Sequence, residues 1–296
     1  MLLYACNEGR QRHTRRYPTT VVFVIISFTN VPLTRTTSAT VCALCLRPEP
    51  IVTSHLLPAG VYRLLRDNER RNPNPVIVGE TTSTQTADQV AAPLLCWDCE
   101  EHFNNRGERW VLQNCFRGPG EFKMLDALRA AKPLHPLDEG AVYAGAQIAD
   151  IDMDSLVYFA SSVIWRAAAR TWGYWGSREQ LSLGPYFEDF RLYLLNPWSF
   201  PVSAAVWVNV WPVPVMLSVL PRTLRGQGYR HHNFSIPGIT FHVFVGQRLP
   251  LGLLLACAAR SSDRMVFLSN DMNAALLQGI ARKVLGSRPT GSLREK

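Results

Sequence analysis

The most regular apolar pattern in the chain occupies residues 152–172, DMDSLVYFASSVIWRAAARTW, where Leu156, Phe159, Ala160, Val163 and Ala167 recur at helical spacing. That period predicts a helix with one broad buried stripe. Asp152 or Asp154 suits its start, because a short carboxylate there accepts from the free backbone N–H groups of the first turn. A second helix is predicted through PYFEDFRLYLL, 185–195, with Pro185 in the first turn, where a missing N–H costs nothing. A shorter helix is expected around 121–131, and an amphipathic one, DMNAALLQGIARKVLG, at 271–286. Elsewhere the period drops to two. In VWVNVW, 206–211, Val206, Val208 and Val210 alternate with Trp207, Asn209 and Trp211, the pattern of a strand. Strands are therefore expected at 204–211, 214–220, 239–246 and 264–270, and helices followed by strands point to an α+β protein with an antiparallel sheet.

Residues 192–221 carry no charged side chain and resemble a membrane span in hydropathy alone. Pro197, Pro201, Pro212, Pro214 and Pro221 interrupt them, which a lipid-exposed helix does not tolerate, so no membrane association is expected. The first forty residues hold Arg10, Arg12, Arg15 and Arg16, one acid, Glu8, and then VVFVIISF at 21–28. Export signals and transit peptides share parts of that outline. The apolar run is short and β-branched, however, so 1–40 is expected to be a basic, poorly ordered tail with one strand captured by the fold. The stretch RNPNPVIVGETTSTQTADQVAAP, 71–93, reads as a long surface loop with a short strand at 76–78. The chain thus divides into the tail, a cysteine-bearing segment 41–118, a connector 119–150, an α+β segment 151–287 and a terminal tail 288–296.

Composition adds two points. At 47% hydrophobic and 18% charged residues the chain is an ordinary globular one. Its net charge of +8 and pI near 9.3 favour a polyanionic partner, DNA or RNA. No phosphate-binding glycine loop, nucleophile elbow or dinucleotide fingerprint occurs.

The chemistry concentrates in the cysteines. Seven are present, an odd number unlike a secreted disulfide framework, so a reducing, cytoplasmic setting is expected. Four form two C-x-x-C pairs, Cys42 with Cys45 and Cys96 with Cys99. Thiolates are soft donors, and two such pairs complete a tetrahedral Zn²⁺ shell; the alternative is buried thiols or a redox pair. Closing a metal site across some fifty residues would fix two remote segments against each other. Between them lies Ser54-His55-Leu56-Leu57-Pro58. His55 alone is open to three readings: a catalytic or metal-binding imidazole, a zinc ligand in place of one cysteine, or a satisfied histidine on a buried strand.

The ordered combination CALC, SHLLP, LLCWDCEEHF and GE, with the later SSVIWRAA helix, resembles the HNH endonuclease motif in its treble-clef, ββα-metal form. More narrowly it is similar to a largely uncharacterised prokaryotic group of HNH-like zinc-finger proteins. The motif covers about a quarter of the chain. The resemblance implies a zinc-stabilised finger followed by a helical and antiparallel-sheet domain. It also implies a metal-dependent endonuclease in which His55 is the general base on a water, and Glu100, with His102 as a lesser candidate, binds a catalytic Mg²⁺ or Mn²⁺. Two positions depart from the pattern: Ser54 stands where an acid or histidine is usual, and Glu100 where asparagine or histidine is usual. Those departures favour the alternative expectation, a non-cleaving binding or regulatory module whose C-terminal domain recognises a protein or small ligand. Glu108 matches the narrower pattern, and either Arg106 or Arg109 is near enough in sequence to pair with it.

Other candidates are weaker. Arg63, Arg66 and Arg70 share a face if YRLLRDNERR is helical, and could follow a phosphate backbone, although Asp67 and Glu69 partly neutralise them. Trp165 and Arg166 could stack on and clamp a nucleic acid, but a large aromatic on so apolar a helix reads as core. His231 and His232 read as a hairpin loop, and Cys115 and Cys257 as small packing residues.

Overall fold

The computed structural model describes residues 25–26, 41–67, 72–79, 82–174, 177–224, 228–260, 262–269, 278–279, 281–283 and 285–293. Most of 1–40, Arg70 and most of the helix expected at 271–286 lie outside them.

The N-terminal half contains β1 (Ile25–Ile26), β2 (Ile51–His55), α1 (Ala59–Leu64), β3 (Val76–Val78), β4 (Thr82–Gln85) and β5 (Ala91–Cys96). Next come α2 (Trp97–Phe103), a π-helical turn (Asn104–Glu108), α3 (Arg109–Asn114) and α4 (Lys123–Ala130). The C-terminal half contains β6 (His135–Leu137), β7 (Gly140–Ala144), α5 (Met153–Ala169), β8 (Trp172–Tyr174), β9 (Ser177–Glu179) and α6 (Phe187–Leu195). It continues with β10 (Ala204–Val210), β11 (Val219–Leu224), β12 (Arg230–Ile236), β13 (Ile239–Val245), α7 (Leu251–Leu255), β14 (Met265–Ser269) and β15 (Arg288–Thr290). The fold is mixed α+β, and among the described residues no helix is long and apolar enough to cross a membrane.

Seven strands make the main sheet, in the order β11-β12-β13-β10-β14-β7-β6. Its pairs are antiparallel except β10 with β14, which run parallel. The period-two pattern of β10 puts Val206, Val208 and Val210 on one face. That face packs with Phe234, Phe241 and Val243 in the large core under α5, whose Phe159 meets the rings of Phe234 and Phe241 at 5.8 and 5.3 Å. α5 starts where its sequence says it should: Asp152 accepts from the backbone N–H of Ser155 at 2.9 Å.

Several expectations are corrected. The stretch 71–93 holds more than one strand in a loop, because β3 turns back onto β4 as an antiparallel pair. The stretch 119–150 supplies α4 and the strands β6 and β7 of the main sheet. A strand was expected at 214–220; β11 starts only at Val219, after the Pro212 and Pro214 stretch in which proline cannot donate to a ladder. His231 and His232 lie within β12, and the hairpin turn falls at Pro237-Gly238, where Gly238 takes a φ of 79°. Trp165, by contrast, is fully buried between Phe103 and Phe187, in the core as its apolar helix implies.

Candidate functional site

The two cysteine pairs converge. Cys42 and Cys45 sit on a tight knuckle before β2, closed by bonds from the Leu46 N–H to the Cys42 carbonyl and from the Cys42 N–H to the Arg47 carbonyl. Leu46 pays for the turn with a φ of 61°. Cys96 ends β5 and flanks the start of α2, and Cys99 falls in that helix's first turn, where the dipole favours thiolate. The antiparallel pairing of β2 with β5 brings knuckle and helix together. All four sulfurs lie within 4.8 Å of one another, and Cys45 and Cys96 are 3.8 Å apart. A tetrahedron with ~2.3 Å metal–sulfur bonds has edges of about that length. Four close thiols of this kind could hold a metal such as zinc.

The thiols shift one another in opposite directions, and burial raises Cys96. A hydrogen bond from Cys99, opposed by burial and aided by nearby backbone N–H groups, holds the Cys42 thiol down at about 4, and the same contact pushes Cys99 up. The Cys96 N–H donates to the Cys42 sulfur at 3.3 Å. Arg47, hydrogen-bonded to Cys45, offsets the negative charge from outside and also approaches Glu49 and Asp98.

Beside this cluster is an open cavity of about 210 Å³, lined in part by His55, Arg63, Glu100, Asn104, Glu108 and Arg166. β2 delivers His55 at its last residue, and α1 delivers Arg63. The three helix-borne residues come every fourth position. In a regular α-helix such a row drifts by about 80° over eight residues. The π turn over 104–108 widens the helix and counters the drift, so Glu108 opens on the same cavity as Glu100 and Asn104. The turn is locked against α5: the Ser155 hydroxyl donates to the Arg106 carbonyl at 3.2 Å. A Cβ on Gly107 would lie 3.0 Å from the Phe159 nitrogen and the Ser155 carbonyl oxygen, tighter than ordinary packing, so glycine eases that approach.

Burial and the positive charge of Arg166 hold the His55 imidazole below the ordinary histidine value; Glu108 and a hydrogen bond to Gln89 pull the other way. The ring is therefore neutral at physiological pH and able to accept a proton. Oε1 of Glu100 is buried and has no hydrogen-bond partner. Burial pushes the Glu108 carboxyl up, and Arg166 opposes the shift.

His55 and Glu100 thus meet at one cavity. His102 does not join them: its Nε2 bonds the Leu194 carbonyl at 3.1 Å and its ring lies edge-on to Tyr158. Ser54 is fully buried and accepts from the Leu95 N–H, so it faces away from the cavity. The arginine row does not form as expected. α1 ends at Leu64, so Arg63 lines the cavity while Arg66 lies beyond the helix. Arg70 lies outside the described residues.

Sequence reasoning missed Asn104 and the pairing of Glu108 with Arg166. Glu108 pairs with Arg166, 58 residues away, and not with Arg106 or Arg109. The available signal was a lone cation in the buried stripe of an apolar helix, which requires a buried anion elsewhere because each unpaired ion costs several kcal/mol. No protein-family model matches the chain, and no curated protein or solved structure matches it either.

Proposed function

We propose that this protein is an HNH-like nucleic-acid-binding protein that hydrolyses phosphodiester bonds with a divalent cation. One observation carries the reading: a half-buried histidine at the end of a strand and the residue whose carboxylate oxygen has no partner, Glu100, line the same open cavity, and Glu100 directly follows Cys99 of the four-cysteine cluster. In this reading His55 takes the proton from an attacking water, and its depressed pKa keeps it competent at neutral pH. Glu100 offers the hard oxygen donor that Mg²⁺ or Mn²⁺ prefers, and the cation when bound stabilises charge on the phosphate. Zinc in the cysteine cluster is structural. Arg63 and the net charge of +8 favour the phosphate backbone of DNA or RNA as the ligand.

The test is direct. Purified protein is expected to nick plasmid in Mg²⁺ or Mn²⁺, and His55→Ala to abolish nicking while zinc content stays unchanged. Residual cleavage equal to wild type rejects the assignment.

A second reading, a zinc-bearing module that binds without cleaving, is favoured by the burial of Ser54. It is favoured also because, among the described residues, only the four cysteines gather three or more ligand atoms within 4.8 Å. It expects oligonucleotide binding that does not depend on Mg²⁺ and no cleavage at all.

A further inference from the structure

Arg166 has no part in the chemistry above, yet it is the most constrained charge near the cavity. It sits within α5 at 1% exposure, a costly place for a guanidinium unless its donors are met. They are met from three directions. Nη1 donates to the His55 carbonyl at 2.9 Å, Nη2 to the Glu108 carboxylate, and Nε to the Ser162 carbonyl at 3.4 Å. The Phe103 ring closes its face at 5.2 Å.

The bond to His55 falls at the end of the strand pairing, just before the Leu56 N–H makes the last bond across, to the Val90 carbonyl at 2.9 Å. His55 is the last paired residue of β2, opposite Ala91, and the chain then turns away towards α1 through Pro58. β2 also carries a register shift between Val52 and Thr53, upstream of the pairs that end at His55. The guanidinium supplies a second anchor at that point. Its other end holds Glu108, which lies on the π turn that carries Asn104 and, one turn before it, follows Glu100.

We infer that Arg166 is a positioning residue: by bridging the His55 carbonyl and the Glu108 carboxylate it sets the separation between the imidazole on β2 and the acids on the α2–α3 helix. The inference rests on the proposed hydrolysis for its kinetic arm and not for its structural one. Two other arginines give internal controls. Arg170 donates to the Pro93 carbonyl and Arg191 to the Leu44 carbonyl, so both grip the same N-terminal segment without lining the cavity.

The experiment compares full-length Arg166→Lys with Arg170→Lys, each first checked for zinc content and near-ultraviolet circular dichroism. Lysine keeps the charge but lacks the planar fork that reaches a carbonyl and a carboxylate together. Arg166→Lys is expected to lower kcat for Mn²⁺-dependent nicking about 10²-fold with KM kept, the loss that an about 1 Å misplacement produces, while Arg170→Lys leaves kcat unchanged. Equal losses in the two variants, or a change in KM alone, overturn the inference. If Arg166→Lys fails to fold, Glu108→Gln takes its place, with a smaller loss of kcat expected and an unchanged kcat overturning. The His55 imidazole signals, assigned by comparison with His55→Ala, are followed in ¹H–¹⁵N spectra of the same variants. They are expected to move in Arg166→Lys and to stay in Arg170→Lys. Wild-type protein that never nicks removes the hydrolysis reading alone; the spectra then decide, and His55 signals unmoved in Arg166→Lys overturn the positioning role.

Discussion

Glu108 and Arg166 each give up water for the other, and that exchange sets the consequence of removing either. Taking away the carboxylate leaves a guanidinium with 1% exposure without its counter-ion. Glu108→Ala is therefore expected to lose about 3–5 kcal/mol of unfolding free energy in urea, and replacing both together, Glu108→Gln with Arg166→Met, to recover most of it. A double variant as unstable as the single one contradicts the pairing. Legibility at this scale tracks spacing. The cysteine quartet could be read because each pair is local, three residues apart, and two C-x-x-C turns together offer the four thiols of a tetrahedral metal shell. His55 could be singled out because it lies between the pairs. The ion pair could not, since nothing local ties residue 108 to residue 166, and two nearer arginines offered Glu108 a plausible partner.

Among the elements, α5 and β10 follow the apolar period of their sequence, because each buries a face whose spacing its hydrophobic residues already record. β12 broke that rule. RHHNFSI looks like a loop because its polar residues are those whose partners lie across the sheet: His231 bonds His242 at 2.9 Å, Thr223 bonds His232 at 3.0 Å, and Arg222 reaches Asn233. Burial therefore falls on three histidines. It holds His231 and His232 down at about 4 and His242 at about 3, with Arg222, Arg230 and His231 adding to the effect. The sign follows from linkage: the folded rings stay neutral while unfolded histidine takes a proton near 6.5, so this stability is complete above that pH and is lost as pH falls towards 4. For His232 alone the effect reaches roughly 3 kcal/mol. Urea midpoints are expected to fall steeply between pH 6.5 and 4 and to fall less in His232→Gln; a flat profile would contradict the burial of these rings.

Across the whole molecule, one hydrophobic core runs from Cys42 and Leu56 through α5 to Phe241 in the main sheet. Arg166, Arg170 and Arg191, on or beside α5 and α6, donate to carbonyls of the cysteine-bearing segment at His55, Pro93 and Leu44. A metal bound at the cysteines would therefore add to these three grips on the same segment. Chelation is expected to lower the Tm of the entire chain in a single transition, as followed by calorimetry, because binding energy at such a site is also folding energy. Two separated transitions would show that the segments melt independently. The division of the chain read from composition could not anticipate this coupling, since nothing local ties these arginines to carbonyls 111, 77 and 147 residues away. The grips have a practical corollary for anyone wishing to borrow the cavity. Excised as a cassette, residues 41–118 would arrive with Glu108 stripped of its cation and three carbonyls stripped of their donors, so the cavity cannot be transplanted without the helices that hold it from behind.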